Sequence, residues 1–284
     1  MKEKTISILG KKINRDSWAQ NIISYVLARQ NTDGGYAFVQ GLESNAQDTY
    51  YGLAILRLLE ARFPNLEQTM GWLHEFVRDS LYSHYYVAKA LNLCGEGPDK
   101  NLKDFLRCIC GCKREFGTID VYVEVASEFV TTLMVTELVN ITRVRINREK
   151  IRGWLLGYQN KDGGFGAHAC SSLNSTYHAV ASLFNLGYDG KSLKETLGFV
   201  RSCEKPSGGF TIIPTGFIPY MEHVYYGMST LDLLGERAKY PDNTARFVLG
   251  CQNANGGFAR TDMGISTFED TFFAVNIMRS LGKL

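Results

Sequence analysis

A glycine pair followed by an aromatic residue recurs four times in the chain. It reads Gln30-Asn31-Thr32-Asp33-Gly34-Gly35-Tyr36, Gln159-Asn160-Lys161-Asp162-Gly163-Gly164-Phe165, Ser207-Gly208-Gly209-Phe210 after Cys203-Glu204, and Gln252-Asn253-Ala254-Asn255-Gly256-Gly257-Phe258. Self-similarity at roughly 45 residues marks each copy as one supersecondary unit that cannot bury its apolar face alone. The units must stack, so the fold is a closed or stacked array of repeats.

Each unit reads as an outer helix, a glycine loop and an inner helix. Outer helices carry apolar residues at three and four spacing, as in Trp18, Ile22, Ile23, Val26 and Leu27, or Ile151, Trp154, Leu155 and Tyr158. Glycines at positive φ let the chain leave one helix and turn sharply, and the aromatic residue can plug the joint. Inner helices start on polar capping residues and are apolar on most sides, as enclosed helices are. Six are expected, over 46–62, 80–94, 125–141, 174–186, 221–234 and 269–281, with outer partners starting near Asp16, Asn65, Asp99, Asn147, Gly190 and Asp242. Pro64, Pro98 and Pro241 punctuate helix starts, and Glu115-Phe116-Gly117 reads as a remnant of the glycine signature.

With 45% hydrophobic and 21% charged residues over 284 positions, nothing marks disorder, and one toroidal domain over 1–284 is the simplest organisation. A net charge of +2, with Lys and Arg scattered among Asp and Glu, sets nucleic acid aside. No apolar run reaches signal-peptide length at the start or the ~20 residues of a membrane span, so a cytoplasmic protein is expected. Seven cysteines without framework spacing suit a reducing compartment. Cys108, Cys110 and Cys112 alternate along a helix, which sends them to different faces and argues for plain thiols over zinc.

The loop followed by Gln47-Asp48-Thr49-Tyr50, Ser175-Thr176-Tyr177-His178-Ala179 or Glu269-Asp270-Thr271-Phe272 resembles the repeats of protein prenyltransferase β subunits and of terpenoid cyclases of the squalene cyclase type. The resemblance covers most of the chain and is strongest over 151–284. It implies an all-α, α6–α6 toroid with a central apolar cavity.

In the β subunits zinc is held by an Asp, a Cys two residues on, and a His on the next inner helix, and it activates the substrate thiol. The corresponding positions here are Tyr220, Glu222 and Phe273, so that triad is missing. Zinc stays a candidate cofactor through a substitute set, His178, Glu222 and His223 at inner-helix starts. The alternative is that these residues satisfy helix termini. Protonating cyclases use Asp-x-Asp-Asp-Thr, which Thr267-Phe268-Glu269-Asp270-Thr271 overlays with Glu269 as the acid. Asp48-Thr49 has the same pair with no acidic neighbour, which reads as an N-cap.

A prenyl diphosphate needs cations, and the loops ahead of the inner helices hold few: His168 in one, Arg260 in another, and an apolar stretch from Thr211 to Tyr220 that could form a lid. The run Arg143, Arg145, Arg148 and Lys150 falls between an inner and an outer helix, on the opposite rim, where it reads first as a solvated turn, and Arg57, Lys89 and Arg201 are further cations that could contribute. Tyr50, Tyr86, Phe129, Tyr177, Tyr225, Phe272 and Phe273 are expected to line a cavity for an isoprenoid and stabilise a carbocation, or else to fill the barrel. Cys94-Gly95-Glu96-Gly97 lacks the Gln of a thioester and is rejected as one.

The leading expectation is an isoprenoid-handling, prenyltransferase-like enzyme with Glu269, Asp270 and Glu222 as catalytic candidates and Arg260 among the substrate contacts. A cyclase-like enzyme with Glu269 as general acid is the second, and a noncatalytic toroid binding a lipid or a protein helix the third. The resemblance also implies a helical protein partner.

Overall fold

A computed structural model describes residues 5–8, 11–111 and 125–284, with side chains described over 17–110 and 128–284. Cys112 and Glu115-Phe116-Gly117 lie outside the described residues. In chain order the helices are α1 (Arg15–Leu27), α2 (Ala46–Leu58), α3 (Leu66–Glu75), α4 (Leu81–Leu93), α5 (Lys100–Gly111), α6 (Val125–Thr142), α7 (Arg148–Leu156), α8 (Leu173–Asn185), α9 (Lys194–Cys203), α10 (Met221–Leu233), α11 (Pro241–Gly250) and α12 (Phe268–Ser280). The even-numbered helices form the inner ring. Each packs on the next, and α12 packs back on α2, so the ring closes. The odd-numbered helices flank it from outside.

The expected helix positions hold, with two differences of length. α2 stops at Leu58 because Glu60 adopts a left-handed φ of 56° and Ala61 N–H turns back to Leu56 O at 2.9 Å. α9 starts at Lys194, after a 3-10 turn over Gly190–Ser192, so the start near Gly190 is corrected. The repeat pattern gave no sign of the antiparallel hairpin β1 (Thr5–Ile8) and β2 (Lys11–Asn14), which pairs Thr5 with Asn14. A second short pair, β3 (Phe258–Ala259) and β4 (Ser266–Thr267), closes the last glycine loop.

The glycine motif is a joint between neighbouring repeats. Gly163 sits at φ +84°, and a Cβ there would lie 2.2 Å from Glu195 O in the outer helix of the next repeat. Gly256 repeats the contact against Asn21 O of α1, so the last loop locks onto the first helix and seals the ring. The aromatic residue plugs each joint: Tyr36, Phe165, Phe210 and Phe258 are fully buried. In three copies its amide donates to the Thr of the following motif, Tyr36 N to Thr49, Phe165 N to Thr176 and Phe258 N to Thr271, each at 3.0 Å. The leading Gln ties the loop to the next outer helix, as Gln159 Nε2 does to Thr196 Oγ1 at 3.0 Å. Where Glu204 replaces Gln, the buried carboxylate instead accepts from Lys239 N at 2.5 Å and from Arg201 Nη1 at 2.9 Å.

Candidate functional site

All six inner helices contribute to one central cavity of about 160 Å³. Its wall is mainly rings. Tyr50 and Tyr51 come from α2, Tyr85 and Tyr86 from α4, Tyr177 from α8, Tyr225 and Tyr226 from α10, and Phe272 and Phe273 from α12. α6 adds the aliphatic patch Val130, Leu133 and Met134. The rings interlock: Tyr225 stacks on Phe273 at 4.4 Å between centroids, and Tyr177 on Tyr226 at 4.7 Å. Consecutive aromatic residues on a helix point about 100° apart, so the pairs on α2, α4, α10 and α12 each present both walls of a wedge to the bore.

Four ionisable groups join them: Glu269, Lys89, Glu137 and His178. Glu269, in the first turn of α12, accepts a hydrogen bond on Oε1 from the Tyr51 hydroxyl at 2.9 Å. Burial raises its pKa, the Tyr51 hydrogen bond partly offsets this, and the Glu222 and Asp48 carboxylates add to the rise. Glu269 therefore holds a proton more readily than an exposed glutamate.

His178 gives its Nδ1–H to Asn174 O at 2.7 Å, which leaves Nε2 unprotonated, and burial pushes its pKa down to about 4. Lys89 and Glu137 pair at 2.5 Å. Burial pulls the Lys89 ammonium down, but Tyr50, Tyr85 and Glu137 outweigh it and hold its pKa well above the usual lysine range.

Of the residues singled out from sequence, Tyr50, Tyr86, Tyr177, Tyr225, Phe272, Phe273, His178 and Glu269 meet in this cavity. Five others do not. Phe129 turns outward, fully buried against Trp154 of α7 and Tyr158 just beyond that helix, at 5.7 and 5.6 Å. Asp270 lies beside the wall and serves the helix start: its amide donates to Thr267 Oγ1 at 2.9 Å and its carboxylate accepts from that hydroxyl at 2.7 Å. Arg260 pairs with Glu222 at 2.6 Å and lies over the Tyr220 ring at 4.2 Å. His223 completes that outer cluster, 3.4 Å from Glu222.

The zinc set is not assembled. Glu222 is engaged by Arg260 and His223, His178 is turned to Asn174, and among the described residues no three His, Cys, Asp or Glu side chains converge as a metal site.

Lys89 and Glu137 were the residues sequence reasoning missed or left unplaced. A signal existed: each is a lone charge in an otherwise apolar stretch, Val87-Ala88-Lys89-Ala90-Leu91 and Leu133-Met134-Val135-Thr136-Glu137-Leu138-Val139. In a helix enclosed on all sides such a charge must pair or face a cavity.

The outer-to-inner connections form the rim above Glu269, and its loops expose large apolar side chains beside charged ones such as Glu43 and Asp262. Among the described residues, Val39, Leu42, Phe217, Ile218, Met263 and Ile265 are exposed on its loops. The stretch from Thr211 to Tyr220 does not pack down as a lid: Phe217 is 93% exposed. Arg143, Arg145 and Arg148 line shallow grooves between inner and outer helices on the opposite rim, as expected. No helix among the described residues is long and apolar enough to cross a membrane.

The family model for the prenyltransferase alpha-alpha toroid domain matches residues 4–80, 76–216 and 129–284. Candida albicans protein geranylgeranyltransferase-I complexed with GGPP aligns at a TM-score of 0.75 and 14% identity, covering 92% of this chain and 90% of that chain. The type II terpene cyclase MstE from Scytonema (apo) aligns at 0.62 and 13% identity, covering 94% of this chain and 97% of that one. No curated protein matches the sequence. At these identities the structural likeness is one of fold.

Proposed function

The chain belongs to the prenyltransferase alpha-alpha toroid family, and on that premise we propose that its bore holds an isoprenoid-type chain which Glu269 protonates. One observation carries the reading: a carboxyl whose pKa burial raises opens into a cavity walled by aromatic rings. In the protonated state Glu269 passes its proton to a carbon–carbon double bond, leaving a carbocation on the chain and a carboxylate on the protein; loss of a proton from a neighbouring carbon of the cation then gives a rearranged alkene, and uptake of a solvent proton restores the acid. The Tyr51 hydroxyl on Oε1 stabilises that carboxylate. The faces of Tyr86, Tyr226, Phe272 and Phe273 stabilise the cation through their quadrupoles.

Protonation is favoured over prenyl transfer because the described residues assemble no ligand set for a thiol-activating metal. Lys89 in the cavity wall and Arg260 outside it are moreover already paired with carboxylates. A volume of about 160 Å³ is the size that admits a benzene-like guest, so a longer chain enters only with rotation of the lining rings. The apolar side chains exposed on the rim above Glu269 offer such a chain a compatible entrance.

The test is deuterium uptake. Purified protein in heavy water is incubated with prenyl alcohols and hydrocarbons of increasing length, and the recovered product is analysed by mass spectrometry. Wild type should place one deuterium on carbon in the rearranged product. Glu269→Gln, with unchanged melting temperature, should place none; equal uptake by both proteins, or none by wild type, rejects the proposal.

A further inference from the structure

The Lys89–Glu137 pair lies deeper in the bore than Glu269. Lys89 is the ninth residue of α4 and Glu269 the second of α12; at 1.5 Å rise per residue, and with inner helices starting on one rim, the pair is about 10 Å further in. Lys89 Nζ reaches Glu137 Oε2 at 2.5 Å and Tyr85 Oη at 3.2 Å, and the Tyr85 hydroxyl donates to the same Oε2 at 2.7 Å. The ammonium lies 5.0 Å from the ring centroids of both Tyr50 and Tyr85.

Two capacities are left over. An ammonium has three donors, and among the described residues two are used. Glu137 Oε1 likewise has no partner there, while Oε2 takes both bonds. Both residues line the same cavity, so one donor and one acceptor are left over at one place in its wall. The charges cancel locally, and a second cation, Arg260, is outside the cavity wall and held by Glu222.

We propose that Lys89, Glu137 and Tyr85 form the recognition site for a neutral oxygen at the end of the guest, so that the ligand is an isoprenoid alcohol and not a diphosphate. The hydroxyl oxygen accepts from Lys89 Nζ and its proton is donated to Glu137 Oε1, which satisfies every group at the site. A diphosphate would bring two or three negative charges against Glu137 into a cavity whose described lining offers no net positive charge, and such a group stays in water. The hydrocarbon then runs toward the mouth and presents a double bond several carbons from the oxygen to Glu269. This inference rests on the bore being an isoprenoid chamber.

Calorimetric binding of three ligands with one chain length, farnesol, farnesene and farnesyl diphosphate, separates the two ideas. Wild type should bind farnesol at least tenfold more tightly than farnesene, with the diphosphate weakest. The double variant Lys89→Met/Glu137→Leu should bind farnesol and farnesene alike. Glu137→Gln, which keeps the shape and leaves the ammonium without its counter-charge, should gain at least tenfold in affinity for the diphosphate. Should the double variant not fold, that gain alone decides. Diphosphate binding to wild type as tight as farnesol, a preserved alcohol preference in a folded double variant, or no gain in Glu137→Gln overturns the recognition site while the chamber stands. Failure of all three ligands to bind wild type overturns both.

Discussion

Gly163 and Gly71 show how differently two glycines can matter. At Gly163 the backbone is left-handed and a Cβ would sit 2.2 Å from Glu195 O, whereas at Gly71, inside α3, a Cβ meets nothing within 4 Å. Gly163→Ala is expected to cost at least about 2 kcal/mol, from the unfavourable φ plus the clash. Gly71→Ala should stabilise by about 0.5–1 kcal/mol, since alanine loses less backbone entropy in a helix. Urea denaturation of the two variants checks both signs. At this scale the glycine motif was fully legible in the sequence, because only a backbone demand explains paired glycines at a fixed place in each repeat.

Two buried groups oppose each other in their pH dependence. Burial pushes Asp270 from 3.8 up to about 6, with the Thr267 hydrogen bond partly offsetting it and Glu269 and Glu222 adding to it. The folded chain thus binds this proton more tightly than the unfolded one; the stability it contributes is full below about 3.8 and is lost as pH rises through about 6. His178, pushed from 6.5 down to about 4 by burial, works the other way: stability falls as pH drops from about 6.5 toward 4. Replacing Asp270→Asn removes the first component alone. The stability of that variant relative to wild type should therefore climb with pH between about 4 and 6, by up to about 1.4 kcal/mol per unit. Urea melts at several pH values measure it, and a flat difference would show that Asp270 titrates normally.

At the scale of elements, the Asp/Ser-Thr pair at the inner-helix starts is first a structural device. Thr271 takes the buried amide of Phe258 at 3.0 Å and itself donates to Thr267 O at 2.6 Å, stapling the glycine loop to α12. Thr271→Val leaves that amide without an acceptor and should cost about 1–3 kcal/mol in chemical denaturation; Thr271→Ser, which keeps the hydroxyl, should cost well under half of that. The sequence marks Asp270 as a catalytic candidate beside Glu269, and the contacts it makes are those of a helix start, to Thr267. In one dimension, adjacent carboxylates on one helix start look alike. The helix turns about 100° per residue, and that rotation alone puts Glu269 into the bore and Asp270 against Thr267. The same rotation separates Phe129, which seals α6 against α7, from Val130 and Leu133, which line the cavity.

At the scale of the whole molecule the closed ring predicts cooperative unfolding. An open array melts by units, since each repeat touches only its neighbours, but here α12 returns to α2 and the last glycine loop to α1. Trp18, buried in α1, meets Phe258 of the last loop at 5.8 Å across that seam. Trp18→Ala is expected to lower stability by about 3–5 kcal/mol and to leave a single transition in calorimetry, shifted as a whole. Two separated transitions would show that the seam is not part of one cooperative unit.

What the chain determined by itself is whatever repeats or alternates along it. The glycine joints, the plugging aromatics, the six helical pairs and the toroid family are all local patterns, because turn conformation and apolar periodicity act between residues close in sequence. The tertiary structure decided which side chains share the bore. Tyr51 and Glu269 are 218 positions apart, and Lys89 and Glu137 are 48 apart. Their meeting depends on the rotation of each inner helix about its own axis, and the packing of the closed ring sets that rotation; no segment read alone contains it.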